Sequence, residues 1–125
     1  MGMIDNRLPD EELLSAFESG ALTGSDFPHE SHVRVTWLLV QRDGRAAAYD
    51  TIAAGIRDIA CRAGRPDVFH ETITRAWFEL IAAAPALDAH PELFDRGLLS
   101  RYYSADALAA GRRQWVEPDI APLEL

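Results

Sequence analysis

The sequence predicts an all-α fold, an irregular bundle of about four main helices with a short C-terminal helix and an extended C-terminal arm. Three observations carry this. Apolar residues recur at helical spacing in four separate stretches, no stretch alternates apolar and polar residues as a strand would, and helix stops stand at Gly20, Gly44, Gly64 and Pro85. With 125 residues, the chain reads as one helical domain, 1–125, of which 115–125 is the arm. That length buries a core without metal or disulfide staples.

In chain order, Leu8-Pro9-Asp10-Glu11-Glu12 opens the first helix with proline and acids where a helix start favours them. Leu13, Leu14 and Phe17 form its stripe, and Ser19-Gly20 ends it. Thr23 to Pro28 is a loop by composition. The second helix runs from His29 or Glu30 to Gln41; Val33 through Val40 is apolar nearly all round, so this helix is central and largely buried. Asp43-Gly44 breaks it. The third runs from Arg45 to Ala63 on a seam of Ile52, Ile56, Ile59 and Ala63, with Gly64 as its stop. The fourth opens at Phe69-His70-Glu71 and lasts to Pro85. Its inward face carries His70, Ile73, Trp77, Leu80, Ile81 and Ala84, whereas Arg75 and Glu79 point away. A short helical piece is expected over Glu92 to Arg96, and Ser104-Ala105-Asp106 caps a last helix to about Gln114. From Trp115, two prolines and no period give an extended arm.

Net charge is −8, with no lysine: every basic side chain is arginine. That balance argues against nucleic acid and anionic membrane surfaces, which both need basic patches. Arg112-Arg113 is the only adjacent basic pair and reads as favourable charge near the end of the last helix. No apolar run is long enough to span a bilayer, and Met1 to Asn6 holds no apolar signal core. Gly2 fails the myristoylation pattern because position 6 is Asn. The expected address is the cytoplasm. The single cysteine, Cys61, cannot form an internal disulfide and reads as a small core or flank residue.

Candidate chemistry gathers at two helix starts. Short connections around the third helix favour antiparallel neighbours, which sets the second and fourth helices parallel. His29, His32 and His70, three of four histidines, then converge at one end of the bundle. Histidine beside a positive helix start tends to stay neutral, which suits a general base or a metal ligand. The expected roles are His70 as base or ligand, Glu71 as its orienter, and His32 as second base or ligand. Arg34 or Arg75 would hold an acidic substrate, and Trp37, Trp77, Tyr102 and Tyr103 would wall the pocket. His29 and His32, three apart on one face, could join His70 around a divalent ion such as Zn²⁺, although no His-Glu-x-x-His pattern is present. Plainer readings exist for each: cap, first-turn acid, surface ion pair, core aromatic. His90, in a loop, has no such argument.

Three blocks stand out: Phe27-Pro28-His29-Glu30-Ser31-His32-Val33-Arg34-Val35-Thr36-Trp37, Phe69 to Trp77 (Phe-His-Glu-Thr-Ile-Thr-Arg-Ala-Trp), and Leu98 to Ser104 continuing into Arg113 to Asp119. Together they resemble a group of small bacterial all-helical proteins of unknown function that share these blocks over most of their length. The resemblance implies one complete domain and carries no activity, cofactor or site.

Two functional readings follow. The first is a small-molecule site, an enzyme in its sharper form, where the second and fourth helices begin, working by proton transfer or, with a metal, by hydrolysis. The second is a non-catalytic domain with structural histidines, whose arm, anchored by Trp115 and Ile120, wraps a second copy as a homodimer. No phosphate-binding glycine loop, catalytic Ser motif or Cys-x-x-Cys pair is present.

Overall fold

The structure, a computed structural model, describes residues 8–125; the reading of the Met1–Asn6 start lies outside them. It is all-α, with α1 (Asp10–Ser19), α2 (His29–Asp43), α3 (Arg45–Arg62), α4 (Glu71–Ala82) and α5 (Ala105–Ala110). Short 3₁₀ turns fill the connections, among them Pro66–Val68, Pro91–Phe94 and Leu98–Arg101. Among the described residues there is no strand, and no helix is long and apolar enough to cross a membrane.

Two hydrophobic clusters make the core. The first packs Leu13 and Phe17 of α1 against Val35 and Leu39 of α2, Ala48, Ile52 and Ile59 of α3, and Phe78 of α4. The second gathers Ala76, Trp77, Leu80 and Ile81 of α4 with Leu93, Leu98, Leu99, Tyr102 and Tyr103, and takes Val33 from α2. Helix α2 serves both clusters on different faces, which is why its sequence is apolar nearly all round.

Two glycines set the geometry. Gly44, at φ +84°, is the whole connection between α2 and α3. Its N–H bonds to Val40 O at 2.9 Å and its carbonyl accepts from Ala48 N at 3.0 Å, so one left-handed residue turns the chain back. Gly55 lets α1 touch α3: a Cβ there would lie 2.1 Å from Phe17 Cζ.

Helices α2 and α4 run parallel, as the short connections suggest. The His29 ring meets Trp77 with centroids 4.4 Å apart, and one helix end later Trp37 Nε1 donates to Ala84 O at 3.0 Å. The pairing is offset, however. His29, the first residue of α2, lies opposite a residue six positions inside α4. At 1.5 Å per residue the α4 start overhangs the α2 start by about 9 Å.

Several expected boundaries change. Helix α2 runs on to Asp43 rather than Gln41, and α4 begins at Glu71, with His70 as its N-cap, and ends at Ala82, short of Pro85. The Glu92–Arg96 piece is a 3₁₀ turn over Pro91–Phe94. Helix α5 stops at Ala110 rather than near Gln114, because the carbonyls beyond it serve α4 instead: Thr72 N donates to Gly111 O at 3.1 Å and Glu71 N to Arg112 O at 2.8 Å. That close approach needs Gly111, where a Cβ would sit 2.2 Å from Thr72 Oγ1.

The extended arm returns to its own chain. Tyr103 Oη donates to Val116 O at 2.7 Å, Ile120 N to Tyr102 O at 2.9 Å, and Ser104 N to Asp119 Oδ1 at 2.8 Å. Trp115 packs against Tyr103 and lies under the Arg75 guanidinium, 4.6 Å away. Trp115 is thereby occupied within the molecule, while Ile120 remains 58% exposed. Cys61 is a flank residue, exposed on α3.

Candidate functional site

The expected three-histidine convergence forms only in part. His29, His32 and His70 all line one open cleft of about 810 Å³ at the start of α2, but they differ in what their nitrogens do.

His70 is engaged on both sides of its ring. Its Nδ1 accepts the Ile73 N–H at 3.1 Å, the N-cap bond of α4, and its Nε2–H donates to Leu108 O at 2.7 Å. The partners dictate the neutral Nε2–H tautomer. With Glu71 N and Thr72 N also bonded to carbonyls after α5, the α4 start is closed by protein rather than open to an anion or metal. Among the described residues no group of three or more His, Cys, Asp or Glu side chains is placed to hold a metal ion. The three-ligand set of His29, His32 and His70 is therefore corrected: His70 has no lone pair to give.

His29 is different. Its Nε2–H donates to Leu93 O at 2.8 Å, which fixes the tautomer and leaves Nδ1 unprotonated. Burial lowers its pKa, with Arg96 nearby acting in the same direction, while the Leu93 bond and Asp95 oppose them. The His32 ring makes no hydrogen bond with the described residues, and no buried side-chain nitrogen among them lacks a partner, so its ring nitrogens reach the cleft's solvent. Burial of the ring, and then the neighbouring His29, lower its pKa to about 4. The two rings stand 6.0 Å apart, edge to face. Both are neutral near pH 7.

Aromatic rings form much of the walls, and Glu30 and Thr74 add polar groups. Trp77 stands against His29, and Phe27 lies 5.9 Å from the His32 ring. Phe69, Ile73 and Phe94 complete them, with Arg96 at the mouth. Phe27 stands just before the N-cap and His32 at the fourth helical position, the spacing of a hydrophobic staple, so a sequence signal for it existed. Leu93, Phe94 and Arg96 carried none; they arrive through packing of the Pro91–Phe94 turn on α2.

The remaining predicted residues lie elsewhere. Glu71 turns away from the cleft, accepting from Tyr49 Oη at 2.6 Å and from Arg57 at 3.3 Å. Burial and that carboxylate push the Tyr49 phenol well above its ordinary pKa. Arg34 pairs with Asp10 at 2.6 Å and with Leu8 O at 2.8 Å, tying α2 to the start of α1. Arg75 stacks on Trp115, and Trp37 is held by Ala84 O. Tyr102 is buried, donates to Glu124 at 3.1 Å, and lines a separate cavity of about 370 Å³. Of the predicted set, His29, His32, His70 and Trp77 share the cleft; Glu71, Arg34, Arg75, Trp37 and Tyr102 do not. His90 pairs with Glu92 at 3.0 Å on the surface.

No protein-family model, curated protein or solved structure matches this chain.

Proposed function

We propose that the cleft at the start of α2 binds a small, largely aromatic molecule and that His29 exchanges a proton with it. The observation that supports this most is the His29 ring. One nitrogen is tied to the Leu93 carbonyl and the other is an unprotonated acceptor in a cleft walled by Trp77, Phe27, Phe69 and Phe94. A carbonyl behind an imidazole orients it and stabilises the cation formed when the front nitrogen takes a proton. Such a pocket, apolar with few convergent polar groups, is the ordinary form of a small-molecule site.

The proton is assigned to His29 rather than His32 on magnitude. A base with a pKa of about 4 is a poor proton acceptor near pH 7, so His32 serves better as a neutral hydrogen-bonding partner for the ligand. His70 holds the cleft floor through its backbone bonds. Arg96, at the mouth, meets a polar or anionic end of the ligand.

The test is a panel of small aromatic acids, amides and phenols, screened by NMR on the histidine ring and Trp77 indole resonances. Compounds that shift His29 and His32 should bind His29→Gln at least about tenfold more weakly, the effect of losing one well-placed hydrogen bond. His70→Gln, if folded, should bind within about twofold of the parent. Compounds that bind both variants equally well, or a panel that moves neither ring, would exclude the reading.

A further inference from the structure

Beyond the histidine cleft, we propose that the cavity beside it at the α4 start, sharing Phe69 with it, about 770 Å³ and lined by Arg57, Arg112 and Arg113, is a binding site for a phosphate group. In a chain of net charge −8, with twenty acids against twelve arginines, three of the twelve converge on one concavity.

Among the described residues, only one of the three guanidinia is in an ion pair. Arg57 stacks on the Phe69 ring, its carbon 4.3 Å from the centroid, and pairs with Glu71 through one nitrogen at 3.3 Å. Arg112 is tethered through one nitrogen to the Asp67 carbonyl at 3.1 Å. Arg113 has no hydrogen-bond or ion-pair partner among the described residues. Most N–H donors of the three forks are thus left over, and a planar fork of donors matches the oxygens of phosphate in paired fashion.

The acids that line the same cavity are already engaged. Glu71 is shared between Tyr49 and Arg57, and Asp67 faces Arg65 at 3.8 Å. With Arg65 counted, four arginines stand against two carboxylates, so the local balance is positive while the molecule as a whole is strongly negative. The structure explains why these arginines collect. The head-to-tail closure of α4 by the chain after α5 brings residues 112 and 113 beside the Pro66–Val68 turn and α3, an arrangement that the sequence pair Arg112-Arg113 does not announce. The cavity's concave form fits a small molecule carrying phosphate rather than a duplex backbone.

The test is calorimetry with inorganic phosphate, pyrophosphate and phenyl phosphate at ionic strength matched with chloride. Saturable binding of at least one is expected, and Arg113→Gln should weaken it by about tenfold or more, as the loss of a charge-assisted hydrogen bond does. Arg101→Gln, an arginine outside the cavity, should leave it unchanged. Preference for phenyl phosphate over inorganic phosphate points to a phosphorylated small molecule, and equal binding to free phosphate; either supports the site. No saturable binding, or equal loss in Arg113→Gln and Arg101→Gln, overturns it. So does binding of a single-stranded oligonucleotide that pyrophosphate fails to displace.

Discussion

At the residue scale, four histidines in one small acidic chain have four different fates, decided by what each ring nitrogen meets. His70 closes a helix, His29 keeps one acceptor free, His32 keeps its nitrogens in the cleft, and His90 pairs with Glu92. Because His70 bonds on both sides to backbone, His70→Ala should destabilise the fold by about 1–2 kcal/mol, the loss of a cap and a buried hydrogen bond, read by chemical denaturation. The His29 ring signals should stay in place. His32 gives a pH prediction. Its folded pKa of about 4 lies below the ordinary 6.5, so the unfolded chain takes up the proton first as pH falls. Stability is therefore full above about 6.5 and is lost as pH drops toward 4, by at most about 3 kcal/mol, and by less to the extent that solvent in the cleft screens the charge. His32→Gln should flatten that part of the stability profile. Which histidine would do what was not legible in the sequence. His29 differs from His70 through the Leu93 and Leu108 carbonyls, and both come from distant parts of the chain.

At the element scale, helix positions were legible because apolar spacing and glycine stops are local signals, whereas helix ends depended on partners. His70 reads as helical from its place before Glu71, yet it is a cap. Helix α5 looks long enough to reach Gln114, yet its last carbonyls bind α4. The parallel course of α2 and α4 followed from loop lengths; their offset of about 9 Å did not, since it is set by how Trp77 and Trp37 pack. Two close approaches can be checked directly. Gly111→Ala would press a methyl into Thr72, and Gly55→Ala would press one into the Phe17 ring. Each should cost about 1–3 kcal/mol, visible as a lowered thermal midpoint. Gly24→Ala, where a Cβ meets nothing within 4 Å, should change the midpoint little.

At the scale of the whole molecule, the arm is part of the body. Its residues bond to Tyr102, Tyr103 and Ser104, and Trp115, Ala121 and Leu123 pack on the second cluster. A chain truncated after Gln114 should therefore lose at least about 3 kcal/mol of stability from unburied apolar surface, measured by denaturant unfolding at several protein concentrations. A loss that varies with concentration would instead show the arm reaching another copy. The prolines made an arm legible in the sequence, but its destination was not, because hydrogen bonds to residues far back in the chain leave no local pattern. The same reason hid Phe94 and Arg96 from the cleft.

The most direct measurement is a long-range ¹⁵N–¹H correlation spectrum of the histidine rings, followed from pH 8 to pH 4. His29 should show a protonated Nε2 and a bare Nδ1 at neutral pH and should take its proton at Nδ1 below the ordinary histidine range, while His32 remains neutral to about pH 4. A His29 ring already doubly protonated at neutral pH, or protonated on Nδ1 with Nε2 bare, would remove the free acceptor on which the proposed site depends.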